Sequence, residues 1–149
     1  MREAINVVDL EKSFSDHKVL DKISFHVPTG SIFALLGTNG SGKTTTVKMM
    51  TTLLKPDNGY ITINAMNVLE QSLKVQKEFS LTGQFAAVDE VLTGRENLVL
   101  IAKLRHMKNY TEKVNELLTE FDLQEAADRP TQTYSGGMRR KLDLAMSLI

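Results

Sequence analysis

The stretch that most restricts the fold of this chain is a glycine-rich loop, GTNGSGKTT at residues 37–45. It follows an uninterrupted apolar run at residues 32–36, which predicts a short buried strand, and it precedes apolar residues that suit a helix. In that context the pattern G-x-x-x-x-G-K-[ST] predicts a phosphate site, because glycines let successive N–H groups point inward at the positive end of a helix. Lys43 would reach the β- and γ-phosphates, and the Thr44 hydroxyl would take one place on Mg²⁺. The flanking strand and helix disfavour the alternative, a glycine-rich turn with a solvated lysine.

Composition narrows the classes of function that remain. Lysine plus arginine equals aspartate plus glutamate at 18 each in 149 residues, so no global field favours nucleic acid or an anionic membrane. The chain has no cysteine, which excludes disulfides and thiolate metal sites and fits a reducing compartment. Its three histidines, His17, His26 and His106, lack metal-ligand spacing and are interpreted as surface or structural residues. No apolar stretch is long enough to cross a bilayer, so membrane work would need another anchor.

The rest of the chain divides into a β-rich part and a helical part. Apolar patterns predict strands at residues 5–10, 23–27, 60–63 and 79–81, besides the run at 32–36. Helices are predicted after the glycine loop and at residues 68–78, 93–106, 114–121 and from 135 onward. The helix at 93 begins with a capping box, Thr93 and Glu96. We therefore expect an α/β fold with an antiparallel element and a partial parallel sheet core in residues 1–84, and a mainly helical subdomain in residues 85–149.

A second unusual stretch is YSGGMRRK at residues 134–141. Ser135 is a good helix N-cap, and the two glycines that follow it are tolerated where a backbone must come close to something. Arg139 and Arg140 would lie near the positive end of the helix, where cations are mildly unfavourable. A bound anion would offset that repulsion. The alternative is a capped helix with a solvated face and an Arg139–Asp143 pair at i,i+4 spacing. These residues alone leave both interpretations open.

Taken together, the two motifs resemble those of the ATP-binding subunit of ABC transporters. The second motif follows 92 residues after the first, counted from Lys43 to Ser135, with helical segments between them. The stretch YSGGM is similar to the family's signature, usually written LSGGQ, and departs from it at Tyr134 and Met138. The stretches LTGQFAAVDEVLTGRENL and SGGMRRKLDLAMSLI are similar to those of drug-export ATPases of the daunorubicin-resistance type. The resemblance covers nearly the whole chain and implies the fold of a P-loop NTPase.

The resemblance also implies a role for each matching position. Phe14 matches the aromatic residue that stacks on adenine, although the residue by itself predicts a strand core position. Gln84 matches the glutamine that touches Mg²⁺ and the attacking water and relays to the membrane partner. Ser135, Gly136 and Gly137 match the donors that cap the γ-phosphate of ATP held by the opposite protomer, so that each complete site is shared across a dimer. The catalytic set implied is Lys43, Gln84 and Ser135, the Mg²⁺ ligands are Thr44 and Gln84, and the ATP contacts are Phe14, Gly37, Asn39, Gly40, Ser41, Gly42, Lys43, Thr44, Thr45, Ser135, Gly136 and Gly137.

The function implied is that of a subunit that couples ATP binding and hydrolysis to export of a drug or other small amphipathic molecule. Its partners would be a second nucleotide-binding subunit and a separate transmembrane permease, with no nucleic acid. It would lie on the cytoplasmic face of the cell membrane, or in the cytoplasm when unassembled. A soluble ABC-type ATPase of repair or translation is the alternative within the family, and the neutral charge and continuous motif spacing count against it.

The resemblance further implies that part of the active site lies outside this sequence. In the family, the Walker B strand, with an aspartate for Mg²⁺ and a glutamate that polarises water, would begin just beyond Ile149, and a histidine switch would follow. We therefore expect the chain to bind ATP, to hydrolyse it poorly alone, and to expose the edge of its strand at 32–36.

One segment imitates the missing strand. Residues 85–90, FAAVDE, have four apolar residues before Asp89 and Glu90. A compact P-loop NTPase outside the ABC family could place Asp89 on Mg²⁺ and use Glu90 as the base. Two adjacent alanines are weak strand formers, which disfavours this alternative.

Overall fold

The computed structural model describes residues 2–83 and 86–149 of the chain. These residues form two compact units, Met1–Phe79 and Ser80–Ile149. The first unit contains the sheet and the glycine loop, and the second is mainly helical. Gln84 and Phe85, and with them the roles expected for Gln84 and the start of the 85–90 segment, lie outside the described residues.

The first unit is built on a four-stranded sheet. Strands β1 (Glu3–Phe14) and β2 (His17–Pro28) form a hairpin, and β3 (Asn58–Ile63) and β4 (Met66–Asn67) complete the order β2-β1-β3-β4. All three pairings are antiparallel. The buried apolar residues that form the core of this unit come from the sheet and from the segments packed on it: Val7, Leu10, Leu20, Met49, Ile61, Ile63, Val68 and Val75.

Two helices accompany this sheet. Helix α1 (Lys43–Met50) begins directly after the glycine loop, as predicted, and buries Met49 in the core. Helix α2 (Ser72–Val75) is a single turn, although a longer helix was predicted over residues 68–78. Val68 and Val75 are buried, but Leu69 and Leu73 are exposed, so only part of the apolar stripe of that segment has the packing that stabilises a longer helix.

The strand predicted at residues 32–36 does not form. Residues 31–38 belong to no strand, and Ile32 and Leu36 are almost fully exposed. A continuous apolar run becomes a buried strand only with hydrogen-bonded neighbours, and no strand runs alongside this segment in the described part of the chain. Within the run, the ring of Phe33 stacks on that of Phe25 in β2 with centroids 5.1 Å apart.

The prediction of a parallel sheet core is wrong for the same reason. Residues 79–81, also predicted as a strand, belong to no strand of the described sheet, which is antiparallel throughout. Antiparallel strands joined by short connections can pair with one another at once, whereas a parallel strand needs a neighbour brought in by a crossover. The antiparallel element that was predicted before the glycine loop is confirmed.

Three helices form the second unit. They are α3 (Gly94–Leu104), α4 (Tyr110–Glu120) and α5 (Gly136–Ser147). The predicted capping box is present on α3: the Thr93 amide donates to Glu96 Oε2 at 2.8 Å, and the Glu96 amide donates to Thr93 Oγ1 at 3.1 Å. The buried apolar residues of this unit include Leu98, Ala102, Val114, Leu117, Leu118, Leu123, Leu142 and Ala145.

Candidate functional site

The glycine loop has the backbone that a phosphate cradle requires. Gly40 and Gly42 lie in the left-handed region, with φ of +84° and +87°. A Cβ atom placed on Gly42 would lie 2.3 Å from Leu20 Cδ2 and 3.2 Å from the Val19 carbonyl oxygen. Only glycine therefore fits at position 42, both because of its backbone angle and because β2 passes so close.

The amides at the start of α1 are available to a ligand. The Ser41 N–H donates to Thr38 O at 3.2 Å, and the Thr46 N–H donates to Gly42 O at 2.8 Å. Between them, the N–H groups of residues 42–45 have no acceptor among the described residues. The first N–H groups of a helix point along its axis toward its positive end, so this set favours an anion.

Lys43 is tied to the loop from within. Its ammonium donates to Gly37 O at 2.8 Å and to Thr38 O at 2.7 Å, and it lies 3.5 Å from Ser41 Oγ. These bonds link Lys43, at the end of the loop, to Gly37 and Thr38 at its start. Thr44 is exposed, and its hydroxyl makes no hydrogen bond in the described part of the chain.

A cavity of about 380 Å³ opens over these groups. Two of its lining residues, His17 and Val19, come from β2, and the others come from the loop and α1: Asn39, Gly40, Gly42, Lys43, Thr44 and Thr45. The lining contains a lysine and no carboxylate, so its chemistry suits a polyanion such as a nucleotide triphosphate.

Phe14 lies at the end of β1 with its side chain 48% exposed, so the expectation that it is a core residue is wrong. It ends the hairpin strand, where it is paired with His17 across the turn. The Lys12 ammonium lies 5.7 Å from the ring centroid. Such an open ring is able to stack on a base, the role that the resemblance implies.

The second motif starts α5 in the helical unit. Ser135 Oγ accepts the N–H of Met138 at 3.2 Å, which makes Ser135 the N-cap as predicted. Ser135, Gly136 and Gly137 are exposed, and a Cβ atom placed on Gly136 would meet nothing within 4 Å. The space around the first turn of α5 is therefore open.

Tyr134, the residue before this N-cap, is buried. Its hydroxyl donates to Ala126 O at 2.6 Å, and burial raises the pKa of the phenol. A Cβ atom placed on Gly94 would lie 2.3 Å from that hydroxyl oxygen, so the start of α3 and the start of α5 meet at this phenol. Tyr134 stands where the family's signature usually has leucine. Its hydroxyl supplies a hydrogen bond that leucine could not make.

The arginines beside the motif are paired differently from what was expected. Arg139 donates to Glu90 Oε1 at 2.9 Å and to Gln132 O at 3.2 Å, rather than pairing with Asp143. Asp143 is 4% exposed and instead accepts from Arg140 at 2.8 Å and from the Ala87 N–H at 3.0 Å. A buried carboxylate must be satisfied by hydrogen-bond donors, and Arg140 is one of those of Asp143. The positive charges of Arg139 and Arg140 are therefore already paired with carboxylates of the protein.

The segment at residues 85–90 resembles a Walker B strand in sequence. Its described part, residues 86–90, does not form a strand. Asp89 Oδ1 accepts the Val91 N–H at 2.9 Å, and Glu90 pairs with Arg139 at 2.9 Å. Asn97, itself buried, accepts the Asp89 N–H at 2.9 Å and fixes this turn to α3. Both carboxylates therefore have structural partners inside the helical unit, which disfavours the compact-NTPase alternative.

Sequence reasoning missed two residues of the cavity, His17 and Val19. Neither belongs to a motif, and His17 was interpreted as a surface or structural residue. Their signal lies in pairing: His17 is the cross-strand partner of Phe14, a relation that exists only once the hairpin register is known.

Neither a membrane span nor a metal cluster is found among residues 2–83 and 86–149. No helix there has the length and apolar character needed to cross a bilayer. No three acidic or histidine side chains in the same ranges gather into a group that could hold a metal ion.

Sheet, glycine loop and following helix together define the class of this protein, a P-loop nucleotide-binding fold. The solved structure of an ATP-binding subunit of an ABC transporter matches it with a TM-score of 0.84 and 29% identity, over 97% of this chain and 61% of the other. The predicted P-loop NTPase fold of the ABC ATPase type is thereby confirmed, apart from the parallel sheet core.

Sequence comparison assigns the family. The model of the ABC transporter family matches residues 20–149, and the chain belongs to that family. It is 44% identical over 148 residues to the daunorubicin resistance ATP-binding protein DrrA2 of Streptomyces coeruleorubidus, covering 98% of this chain and 46% of the relative. It is 39% identical over 150 residues to the doxorubicin resistance ATP-binding protein DrrA of Mycobacterium tuberculosis, covering 98% of this chain and 45% of the relative. The chain thus spans about half the length of these curated relatives.

Proposed function

We propose that this chain is the nucleotide-binding part of an ATP-binding subunit that drives export of a drug or similar small amphipathic molecule. Membership of the ABC transporter family supports the ATP-binding role. The identity to proteins named for daunorubicin and doxorubicin resistance supports the class of transported molecule.

The observation that carries the proposal is the set of unbonded N–H groups at residues 42–45, in a cavity that Lys43 also lines. These groups would hold the phosphates of ATP, and Lys43 would exchange a loop carbonyl for a phosphate oxygen. The free hydroxyl of Thr44 would supply one ligand to the Mg²⁺ that accompanies ATP, and Gln84 would supply another. Bound Mg²⁺ would neutralise charge on the phosphates.

Hydrolysis would need a group that polarises water. The described lining of the cavity contains no carboxylate for that task. We therefore propose that the 149-residue chain binds ATP and turns it over poorly when alone.

The open first turn of α5 supports a second part of the proposal. Ser135, Gly136 and Gly137 would close on the nucleotide held by another nucleotide-binding subunit, since their N–H groups start a helix and nothing covers them. A separate permease in the membrane would complete the assembly and bring this subunit to the cytoplasmic face of the membrane.

Replacing Lys43 tests the phosphate assignment. We expect Lys43→Ala to weaken binding of a fluorescent ATP analogue by about ten- to a hundredfold, because charge-assisted hydrogen bonds are worth about 1.5–3 kcal/mol. Lys48→Ala is the matched control, since Lys48 is exposed on the same helix and lies outside the cavity lining. ATP hydrolysis by the wild-type chain, measured on the same samples, should be negligible.

Circular dichroism of both variants would establish that each retains the secondary structure of the wild type. Undiminished affinity of a folded Lys43→Ala variant would refute the phosphate assignment. Robust turnover that disappears in Glu90→Gln would instead support the compact NTPase.

A further inference from the structure

We propose that His17 contacts the ribose of the bound nucleotide and makes the site prefer a nucleotide over a bare polyphosphate. This inference rests on the proposed function, because it assumes that phosphates occupy the loop at residues 42–45. It assigns a role to a residue that lies in neither motif.

The hairpin places His17 beside the ring expected to hold the base. Phe14 and His17 are directly paired across β1 and β2, with only residues 15 and 16 between them. Directly opposite residues of an antiparallel pair project from the same face of the sheet, with Cβ atoms about 4.5–5.5 Å apart. The imidazole and the exposed Phe14 ring are therefore neighbours on one surface.

The same strand also reaches the phosphate loop. Ser13 pairs with Lys18 and Lys12 pairs with Leu20, so Val19 is an extra residue that forms a bulge in β2. The Val19 carbonyl oxygen would lie 3.2 Å from a Cβ atom on Gly42, which shows how closely the bulge approaches the loop. Two residues further along an extended strand correspond to about 6.6 Å. His17 therefore lines the same cavity as the phosphate loop and is also the cross-strand partner of Phe14, which lies outside that lining.

The chemistry of the imidazole suits this position. His17 is exposed, lines the cavity, and has no hydrogen-bond or ion-pair partner among the described residues. An imidazole can both donate and accept a hydrogen bond, and so can a ribose hydroxyl. A nucleotide held by its phosphates at the loop and by its base at Phe14 would bring its sugar past His17.

Three ligands separate the parts of the nucleotide: ATP, 2′,3′-dideoxy-ATP and inorganic tripolyphosphate. Binding of each is measured by calorimetry to the full chain and to four variants, His17→Ala, His17→Gln, His26→Ala and Lys43→Ala. His26 is the matched control, because it is an exposed histidine on the same strand and lies outside the cavity lining.

We expect His17→Ala to weaken ATP about two- to tenfold, the equivalent of one hydrogen bond, and to leave tripolyphosphate affinity unchanged. The wild-type preference for ATP over dideoxy-ATP should disappear in His17→Ala and return in His17→Gln, whose amide also donates and accepts. His26→Ala should behave as the wild type, and Lys43→Ala should weaken all three ligands.

Two results would overturn the inference while leaving the proposed function intact. One is an unchanged ATP affinity in His17→Ala alongside the loss in Lys43→Ala. The other is an equal loss for ATP and tripolyphosphate in His17→Ala, which would mean that the residue acts on the phosphates or on the fold. If the wild-type chain binds neither ATP nor tripolyphosphate, the proposed function itself fails and this inference fails with it.

Discussion

Gly42 is the residue on which the shape of the phosphate loop depends most directly. We expect Gly42→Ala to lower the free energy of unfolding by about 1–2 kcal/mol from its left-handed backbone angle, with a further loss because its Cβ would press on Leu20. Gly30→Ala is the control, since Gly30 also has a positive φ, +76°, but has open space around it. Urea unfolding of both variants measures the difference, which is the cost of the contact with β2.

ATP titration of the same two variants adds a functional measurement. Gly42→Ala should also weaken ATP, whereas Gly30→Ala should leave the affinity unchanged. Equal losses of stability in the two variants would show that β2 does not restrict the loop.

At this scale the sequence predicted what is local and missed what depends on pairing. The pattern around Lys43 spans a few consecutive residues, so its loop geometry follows from glycine positions alone. Its bonds to Gly37 and Thr38 carbonyls could not be read from the pattern, because the same ammonium could equally lie in solvent. His17 was missed because its position opposite Phe14 depends on the register of the hairpin, which the sequence does not specify.

Among the elements, helix α3 begins with a carboxylate whose pKa is lowered, that of Glu96. The hydrogen bond from the Thr93 N–H, followed by that with the Thr93 hydroxyl, lowers the pKa of Glu96. Because the folded-state pKa lies below the unfolded value of about 4.3, the box stabilises α3 above that pH and the contribution is lost as pH falls through the folded-state value.

We therefore expect wild type and Glu96→Gln to differ in pH dependence between about pH 6 and pH 3, as measured by urea unfolding. The wild type should lose more stability over this range, since the glutamine amide does not titrate. Glu112→Gln, in the first turn of α4 and without a hydrogen bond among the described residues, is the control. Parallel pH profiles for wild type and Glu96→Gln would contradict a role for the capping box.

Helices α3, α4 and α5 were predictable because their signals are local, whereas two predicted strands and the long helix predicted over residues 68–78 did not form. A cap at Thr93 or Ser135 and an apolar stripe on α4 each specify a helix without reference to the rest of the chain. The apolar run at 32–36 carries a strand's composition, but a strand is completed by partners from elsewhere. The composition of residues 32–36 therefore predicted a strand. The strand does not form, because the described sheet contains no neighbour for it.

For the molecule as a whole, that unpaired run is the main exposed apolar surface of the first unit. Ile32 is fully exposed, and Leu36 is 87% exposed. Such surface favours association between copies, because each aliphatic side chain gains about 1.5–3 kcal/mol on burial. We expect the chain to self-associate as its concentration rises, and the double variant Ile32→Ser with Leu36→Ser to weaken association more than about tenfold by sedimentation velocity.

Val91→Ser provides the comparison for this experiment, since Val91 is 82% exposed in the helical unit and outside the segment. It should associate as the wild type does. Association that the double variant leaves unchanged would assign the contact to another surface.

The meeting of Gly94 with Tyr134 has a consequence for how this protein can vary. The phenol occupies the space that any side chain at position 94 would need, and it directly precedes the serine that caps α5. Enlarging that glycine would displace the ring and shift the first turn of α5, which directly follows Tyr134 and Ser135. We therefore expect position 94 to accept as few substitutions as the glycines of the phosphate loop, because any side chain there would clash with Tyr134.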